Sequence, residues 1–445
     1  MKKEARKPGS RGSGLSEGWL AFFLILPTAI VILCISVYPI FRTIWYSFFD
    51  LRLNHPTRNK THFSYSLDLE QYCDALNSIQ SQLKKAQNQV PEDDEKTSLD
   101  IQEMLTLLDN FHNSLFTRKD REELYTTVQD YYDRYEAIAD ENIKYLSISD
   151  NELKDYKAFC ASLHSTASSF SDESLSASKA LKKSVQAIDT FDFALVEPNY
   201  LGLGNYIRYL QNNRLWNSIA NTMIFSFIAV AFETCVGLIL ALIMNQRFVG
   251  RGLVRASILI PWSIPASTSA LIWRFMYDGQ YGVIAKALAA LGIISSPAVI
   301  LTSRAGGLFG MILSDIWKTS PFMALLLLAG LQTIDTTLYE AARVDGSTPI
   351  KSFFHITLPL LKSSMLVAIL FRTMDTVKAF DLANVMTYGA NNTEFMSLYA
   401  YKLMFAQMDF GTGSTISIIL FIIVFLICMF YIKVLGADLF KNVRT

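Results

Sequence analysis

Six apolar runs, each long enough to cross a bilayer, constrain this chain more than any other feature. They lie at about 19–41, 216–244, 253–276, 306–331, 365–387 and 415–434. A hydrocarbon core of about 30 Å takes roughly 20 helical residues. Within it every backbone N–H and C=O has to be paired inside the segment, so each run is expected to be a helix. The expected fold class is therefore all-α: a polytopic membrane protein with about six transmembrane helices. Lys2, Lys3, Arg6, Lys7 and Arg11 precede the first run. A secretory signal has a shorter apolar stretch of about 7–15 residues and a small-residue cleavage site. This run is longer and no such site follows, so it is read as an uncleaved span, with a cleaved signal as the alternative.

Charge in the short loops assigns the sides. Arg247, Arg251 and Arg255 follow the second run, Arg343, Lys351 and Lys362 the fourth, and Lys433, Lys441 and Arg444 close the chain. With six alternating spans all of these share a face with the basic N-terminus. The excess of Lys and Arg makes that face cytoplasmic and puts both termini on it. The expected layout is a cytoplasmic tail (1–18), a first transmembrane helix (19–49), an extracytoplasmic helical insertion (50–198) and an interfacial connector (199–214). A core of five further spans (215–434) and a cytoplasmic C-terminal tail (435–445) follow. Lys and Arg together number 40, as do Asp and Glu, so the net charge is zero. No basic block suggests nucleic acid.

The insertion is polar but patterned. Apolar residues recur at helical spacing in Tyr72, Leu76, Ile79, Leu83; in Ile101, Leu105, Leu108; in Tyr125, Val128, Tyr132, Tyr135; in Leu153, Tyr156, Cys160, Leu163; and in Leu181, Val185, Ile188. Thr97 with Asp100, Thr117 with Asp120 and Ser149 with Glu152 have capping-box spacing. Short amphipathic helices bury such stripes against one another, predicting a small antiparallel bundle. The tyrosine stripe is alternatively a partner surface. Cys73 and Cys160 both lie here, so a disulfide in an exported domain and two free thiols both stay open. No Cys/His spacing resembles a metal site. The connector has the aromatic content of a membrane–water interface.

The loop between the fourth and fifth runs reads as helix, turn, helix. Residues 338–345 are good helix formers, and Gly346 takes the left-handed conformation that ends the first helix. Thr348 caps a second helix with Pro349 in its first position, and Pro359 is expected to end it. Phe353, Phe354 and Ile356 give that helix an apolar surface in need of a groove.

Glu340-Ala341-Ala342, Asp345-Gly346 and Ile356-x-Leu-Pro359 together resemble the EAA motif of binding-protein-dependent ABC importer permeases, whose core is MetI-like. The resemblance implies that the loop (338–360) is a coupling helix in a cleft of an ATPase subunit. The acid at Glu340 would meet a basic residue there, and Gly346 would allow the bend. Pro261-Trp-Ser-Ile-Pro265, Ser314-Asp-Ile-Trp-Lys-Thr-Ser-Pro-Phe322 and Phe371-Arg-Thr-Met-Asp375 resemble sugar permeases of the maltose-transporter type, in particular the larger, MalF-type partner. Matching by motif position implies a substrate path of Trp262, Asp315, Thr319, Phe322, Arg372 and Thr376. Met386-Thr-Tyr-Gly-Ala-Asn-Asn392 departs from the family's glycine-rich run at the outer mouth. The insertion falls outside the resemblance; docking the binding protein, scaffolding the outer face and being a lineage-specific ornament are all open for it.

Charges inside spans are costly and face the interior. Glu233 and Asp315 are two, while Arg372, Asp375, Lys378 and Asp381 alternate in sign at i, i+3. That spacing suits pairing along one helix, which would be structural only. No phosphate-binding loop or catalytic constellation is present, so a non-catalytic subunit is expected. By the resemblance no cofactor binds this chain, and ATP and Mg belong to two partner ABC ATPase subunits. The remaining implied partners are a second, MalG-like permease subunit, an extracytoplasmic binding protein, a sugar or oligosaccharide, and the lipid of a bacterial inner membrane. The alternatives are a permease for a peptide or other non-sugar solute, a membrane receptor, and an ion-coupled transporter.

Overall fold

The computed structural model describes residues 17–91, 94–168 and 178–442. The basic N-terminal cluster and Arg444 lie outside the described residues, as do the side chains of Leu181, Val185 and Lys441. Among the described residues, five helices are long and apolar enough to cross a membrane: Ala21–Tyr46, Asn213–Asn245, Arg304–Leu331, Pro349–Val377 and Phe410–Lys433. A sixth crossing is a bent pair, Arg251–Ser263 and Ala266–Met276, whose axes meet at 87°. Pro265 forces the bend, because its ring holds Ile264 extended (ψ 133°).

The first and fifth spans share a device. In each, a π-helical turn (Leu33–Val37 and Phe353–Thr357) stands immediately before an X-Pro pair, Tyr38-Pro39 and Leu358-Pro359. A proline ring crowds the carbonyl four residues back, and the wider turn makes room for it. Pro359 therefore does not end the loop's second helix; helix continues from Pro349 to Val377. The fifth span also stops at Val377 rather than 387, so Lys378 and Asp381 lie beyond it. The last helix starts at Phe410 and runs on to Asn442, through most of the expected tail.

The second and fourth spans form the centre. A Cβ on Gly237 would come within 2.6 Å of Met323 Cγ, so only glycine permits this approach. Lipid-facing side chains are apolar and exposed, among them Phe227 and Phe275, whereas the interior holds Ser218, Asn221, Thr222, Glu233, Asp315 and Arg372.

Between the first and second spans stands a helical bundle: Leu69–Gln87, Glu95–Leu115, Lys119–Asp133, Asp150–Ser168 and Ser178–Ala194. Its core takes in Tyr72, Leu76, Ile79, Leu83, Ile101, Leu108, Val128, Tyr156, Cys160, Leu163 and Ile188; Tyr132 and Tyr135, expected in the same stripe, are exposed instead, because the helix ends at Asp133. Cys73 and Cys160 are both buried and free. Ser149 and Glu152 form the reciprocal capping box: the Ser149 N–H donates to Glu152 at 2.8 Å and the Glu152 N–H to Ser149 at 3.4 Å. The other two expected boxes are absent. Asp94 caps the Thr97 helix, and Thr117 donates back to the Asn113 carbonyl. A small antiparallel sheet joins the bundle's ends: β1 (Ser66–Asp68) lies between β2 (Tyr145–Ser147) and β3 (Leu195–Val196).

The connector is a knot of hydrogen bonds. The Asp50 N–H donates to the Asn199 carbonyl at 2.8 Å, and the Asn199 side chain donates to the Asp50 and Lys60 carbonyls. Asn205, fully buried, donates to the Ser47 and Phe49 carbonyls.

Candidate functional site: a buried ion cluster and an exposed loop

The loop after the fourth span is built for presentation. Asp335 caps the Thr336–Val344 helix by accepting from the Thr337 N–H. Gly346 is left-handed (φ 79°). The Ser347 N–H reaches the Ala342 carbonyl at 2.8 Å and the Gly346 N–H reaches Arg343 at 3.1 Å, which is a Schellman ending. Thr348 then caps the helix opened by Pro349. Glu340, Ala341, Asp345, Gly346 and Pro359 are exposed, and Ala342 and Ile356 are half-buried. Tyr339 and Thr357 bond across the turn at 2.9 Å and hold its two arms together. Leu338, Val344, Ile350 and Phe354 are apolar and exposed around it.

Five residues before the end of the fifth span, Arg372 is 5% exposed and is neutralised mainly across helices. Nε donates to Glu233 Oε2 at 2.8 Å and Nη2 to Glu233 Oε1 at 3.0 Å, a two-pronged pair. Nη2 also reaches Asp315 Oδ2 at 3.1 Å, and Nη1 reaches the more exposed Asp375 at 3.4 Å. Thr319 Oγ1 stands 2.8 Å from Glu233 Oε1, and Thr376 Oγ1 bonds the Arg372 carbonyl at 3.1 Å. One guanidinium thus ties the second, fourth and fifth spans together. Pairing along the fifth span, which the alternating charges suggested, survives only as the longer Arg372–Asp375 contact; the shorter bonds form this three-helix tie. Glu233 is the residue missed in the sequence-derived path. Its signal was present, as an acid in an apolar run, but its partner lies 139 positions away.

The other path residues form a separate pair. Trp262 and Phe322 stack with centroids 5.4 Å apart and planes at 12°. Trp262 is 44% exposed, and its carbonyl accepts from Lys318 at 3.4 Å. Asp315, Thr319, Arg372 and Thr376 are brought together; Trp262 and Phe322 form a separate aromatic surface, with Phe322 one turn from Thr319 on the fourth span.

At the bundle end of the spans, Glu394 accepts from Arg214 at 2.7 and 2.9 Å and pairs with Lys402 at 3.0 Å. Burial pushes the Glu394 carboxyl up, but the bonds from Arg214 and Lys402 outweigh it, and its pKa lies below the ordinary glutamate value. Here the divergent segment has Tyr388, Gly389, Asn391 and Asn392 all at positive φ. Asn, Gly and similar residues tolerate that conformation, and Tyr388 is held in it by the Lys402 bond to its carbonyl.

Known proteins match this core. The trehalose/maltose transport system permease protein MalF of Thermococcus litoralis is 43% identical over 240 residues, 54% of this chain and 80% of that one. The trehalose permease SugA of Mycobacterium tuberculosis is 37% identical over 246 residues, 55% of this chain and 78% of that one. The sulfoquinovosyl glycerol permease SmoG of Agrobacterium fabrum is 37% identical over 239 residues, 53% and 77%. Among solved structures, a bacterial ABC transporter that imports the acidic polysaccharide alginate is similar at 22% identity and a TM-score of 0.49, covering 53% of this chain and 84% of that one. Residues 233–436 match the family described as binding-protein-dependent transport system inner membrane component. The chain belongs to that family, as a multi-pass, non-catalytic permease subunit of an ABC importer.

Proposed function

We propose that this permease passes a sugar or oligosaccharide received from an extracytoplasmic binding protein. It would pair with a second, MalG-like permease subunit and two ABC ATPase subunits, where ATP and Mg act. The cluster around Arg372 carries this reading. It gathers polar groups from three spans, and Phe322 of the Trp262–Phe322 stack lies one helical turn from Thr319 on the fourth span. Aromatic faces stack on the apolar faces of sugar rings, and guanidinium, carboxylate and hydroxyl groups satisfy sugar hydroxyls. The path is then Trp262, Asp315, Thr319, Phe322, Arg372 and Thr376, with Glu233 added. Trehalose, maltose and sulfoquinovosyl glycerol, the substrates in the relatives' names, support a glycoside as cargo.

Coupling would run through the 338–360 loop. Glu340 presents its charge on a rigid, capped helix, with exposed Leu338, Val344 and Ile350 ready to be covered by an ATPase cleft. Both termini would lie on that cytoplasmic side, by the excess of Lys and Arg in the loops that share it. Closure of the ATPases would push the Pro349–Val377 helix, which leads without a break from the loop to Arg372. The tie of Arg372 to Glu233 and Asp315 would then rearrange as the spans switch access.

Two measurements test this. Glu340→Arg is expected to release the ATPase subunits on co-purification and abolish uptake; retention with normal uptake removes the loop's role. Uptake of labelled disaccharides by cells carrying Trp262→Ala is expected to fall at least tenfold. Uptake confined to peptides in the unaltered protein would overturn the sugar assignment.

A further inference from the structure

The bundle carries a groove of about 590 Å³, remote from the ion cluster. Tyr131, Tyr132, Tyr135, Ala137 and Ile138 form one wall, and Glu70, Gln71, Asp74 and Lys144 the other. The volume falls within the range of small-molecule sites.

The wall ends in an unusual residue. The Lys119–Asp133 helix closes with a Schellman pattern, in which the Tyr135 N–H bonds the Tyr132 carbonyl and the Glu136 N–H bonds Tyr131. The left-handed position of that motif normally takes glycine. Here it is Tyr135, at φ 55°. A bulky aromatic is an outlier in that region. Packing does not explain it, since Tyr135 is 97% exposed. The two Schellman hydrogen bonds hold the strain, and residues held this way cluster at ligand sites. Tyr132, 37% exposed, stands beside it on the same wall.

The facing wall limits what the ligand is. Lys144, the one basic residue among the described lining residues, is already paired with Glu70 and Asp68. An anionic ligand would therefore meet carboxylates and no free cation. Gln71, Asp74 and the tyrosine hydroxyls offer donors and acceptors suited to hydroxyls. We propose that this groove binds a short neutral saccharide, through stacking on Tyr132 and Tyr135 and hydrogen bonds to Gln71 and Asp74. The choice of a saccharide over an organic cation rests on the sugar cargo proposed above; the site itself rests on the groove. Its function would be to hold sugar near the binding protein's delivery point.

The full-length chain in lipid nanodiscs, titrated with trehalose and followed by saturation-transfer NMR and calorimetry, provides the test. Arg372→Met with Glu233→Gln and Asp315→Asn serves as background to silence the transmembrane path. Trehalose binding is expected to survive in that background and to weaken at least tenfold with Tyr135→Gly and with Tyr132→Ala. Tyr135→Gly is also expected to raise the bundle's melting temperature, because glycine relieves the strain. A charged uronate disaccharide is expected not to bind. Binding that persists in Tyr135→Gly, a lowered melting temperature for it, or binding of spermidine in place of trehalose would each overturn the proposal. Loss of trehalose binding in the triple background alone, with the groove intact, would place all binding in the spans. That outcome leaves the importer reading standing and removes only the groove.

Discussion

The bundle and the span core are built from the same apolar residues arranged in opposite senses. In the bundle, Tyr72, Ile79 and Leu83 are fully buried and most charges face outward. In the core, Phe227, Leu24 and Phe275 are more than 60% exposed while Glu233, Arg372 and Asn221 are inside. Water drives the first arrangement by burial of apolar surface. Lipid offers no such drive between helices, so the core depends on close approach at small residues such as Gly237 and on polar ties. The difference shows where each region is vulnerable: to lost volume in the bundle, to a lost charge in the core.

Arg372→Met should therefore have the largest effect. It leaves Glu233 and Asp315 buried without a counter-charge, at a cost of about 3–5 kcal/mol, and uptake should be lost with it. Adding Glu233→Gln and Asp315→Asn should restore thermal stability in detergent but not uptake. Unchanged stability in the single variant would show that the tie does not hold the spans. Ile79→Ala should cost about 2–5 kcal/mol, confined to the bundle. Hydrogen exchange should rise across 69–194 and stay unchanged around Arg372; a spread to the spans would break the separation of the two regions.

Ser149→Ala should cost about 1 kcal/mol, against less than about 0.5 kcal/mol for Thr117→Ala at the false box, measured as bundle unfolding. Glu152 belongs to the same cap. The Arg121 guanidinium, 2.5 Å away, brings its carboxyl down to about 2. A depressed carboxylate stabilises fully above its unfolded value near 4.5 and loses that contribution as pH falls toward 2. Glu152→Gln should flatten the bundle's stability between those limits; an unchanged pH profile would show the pair to be solvent-screened.

Legibility in sequence followed the range of the interactions. The spans, the bundle stripes through Tyr72 and Ile79, and the turn at Gly346 and Pro349 are local patterns, and the structure contains them. The Ser149 box was readable, but the same spacing at Thr97 misled because Asp94, three residues earlier, is the better acceptor. Pro359 misled because its effect depends on a π-helical turn that has no sequence mark. Strands of two and three residues are too short to show a period. The i, i+3 charges invited a one-helix reading, because spacing reports only neighbours, whereas the contacts of Arg372 with Glu233 and Asp315 depend on how three spans pack.

The hydrogen-bonded meeting of Asp50 and Asn199 has an evolutionary consequence. The polypeptide leaves the membrane core and returns to it at one point, so roughly 150 residues hang from a closed stem. Loop-closure entropy grows only with the logarithm of length, and a stem already sealed by its own bonds transmits little strain to the helices on either side. Such a point behaves as a graft union. The bundle is expected to be exchangeable for another domain, or for a short hairpin, while the first and second spans keep their register, and this leaves its surface free to change faster than the transport core beneath it.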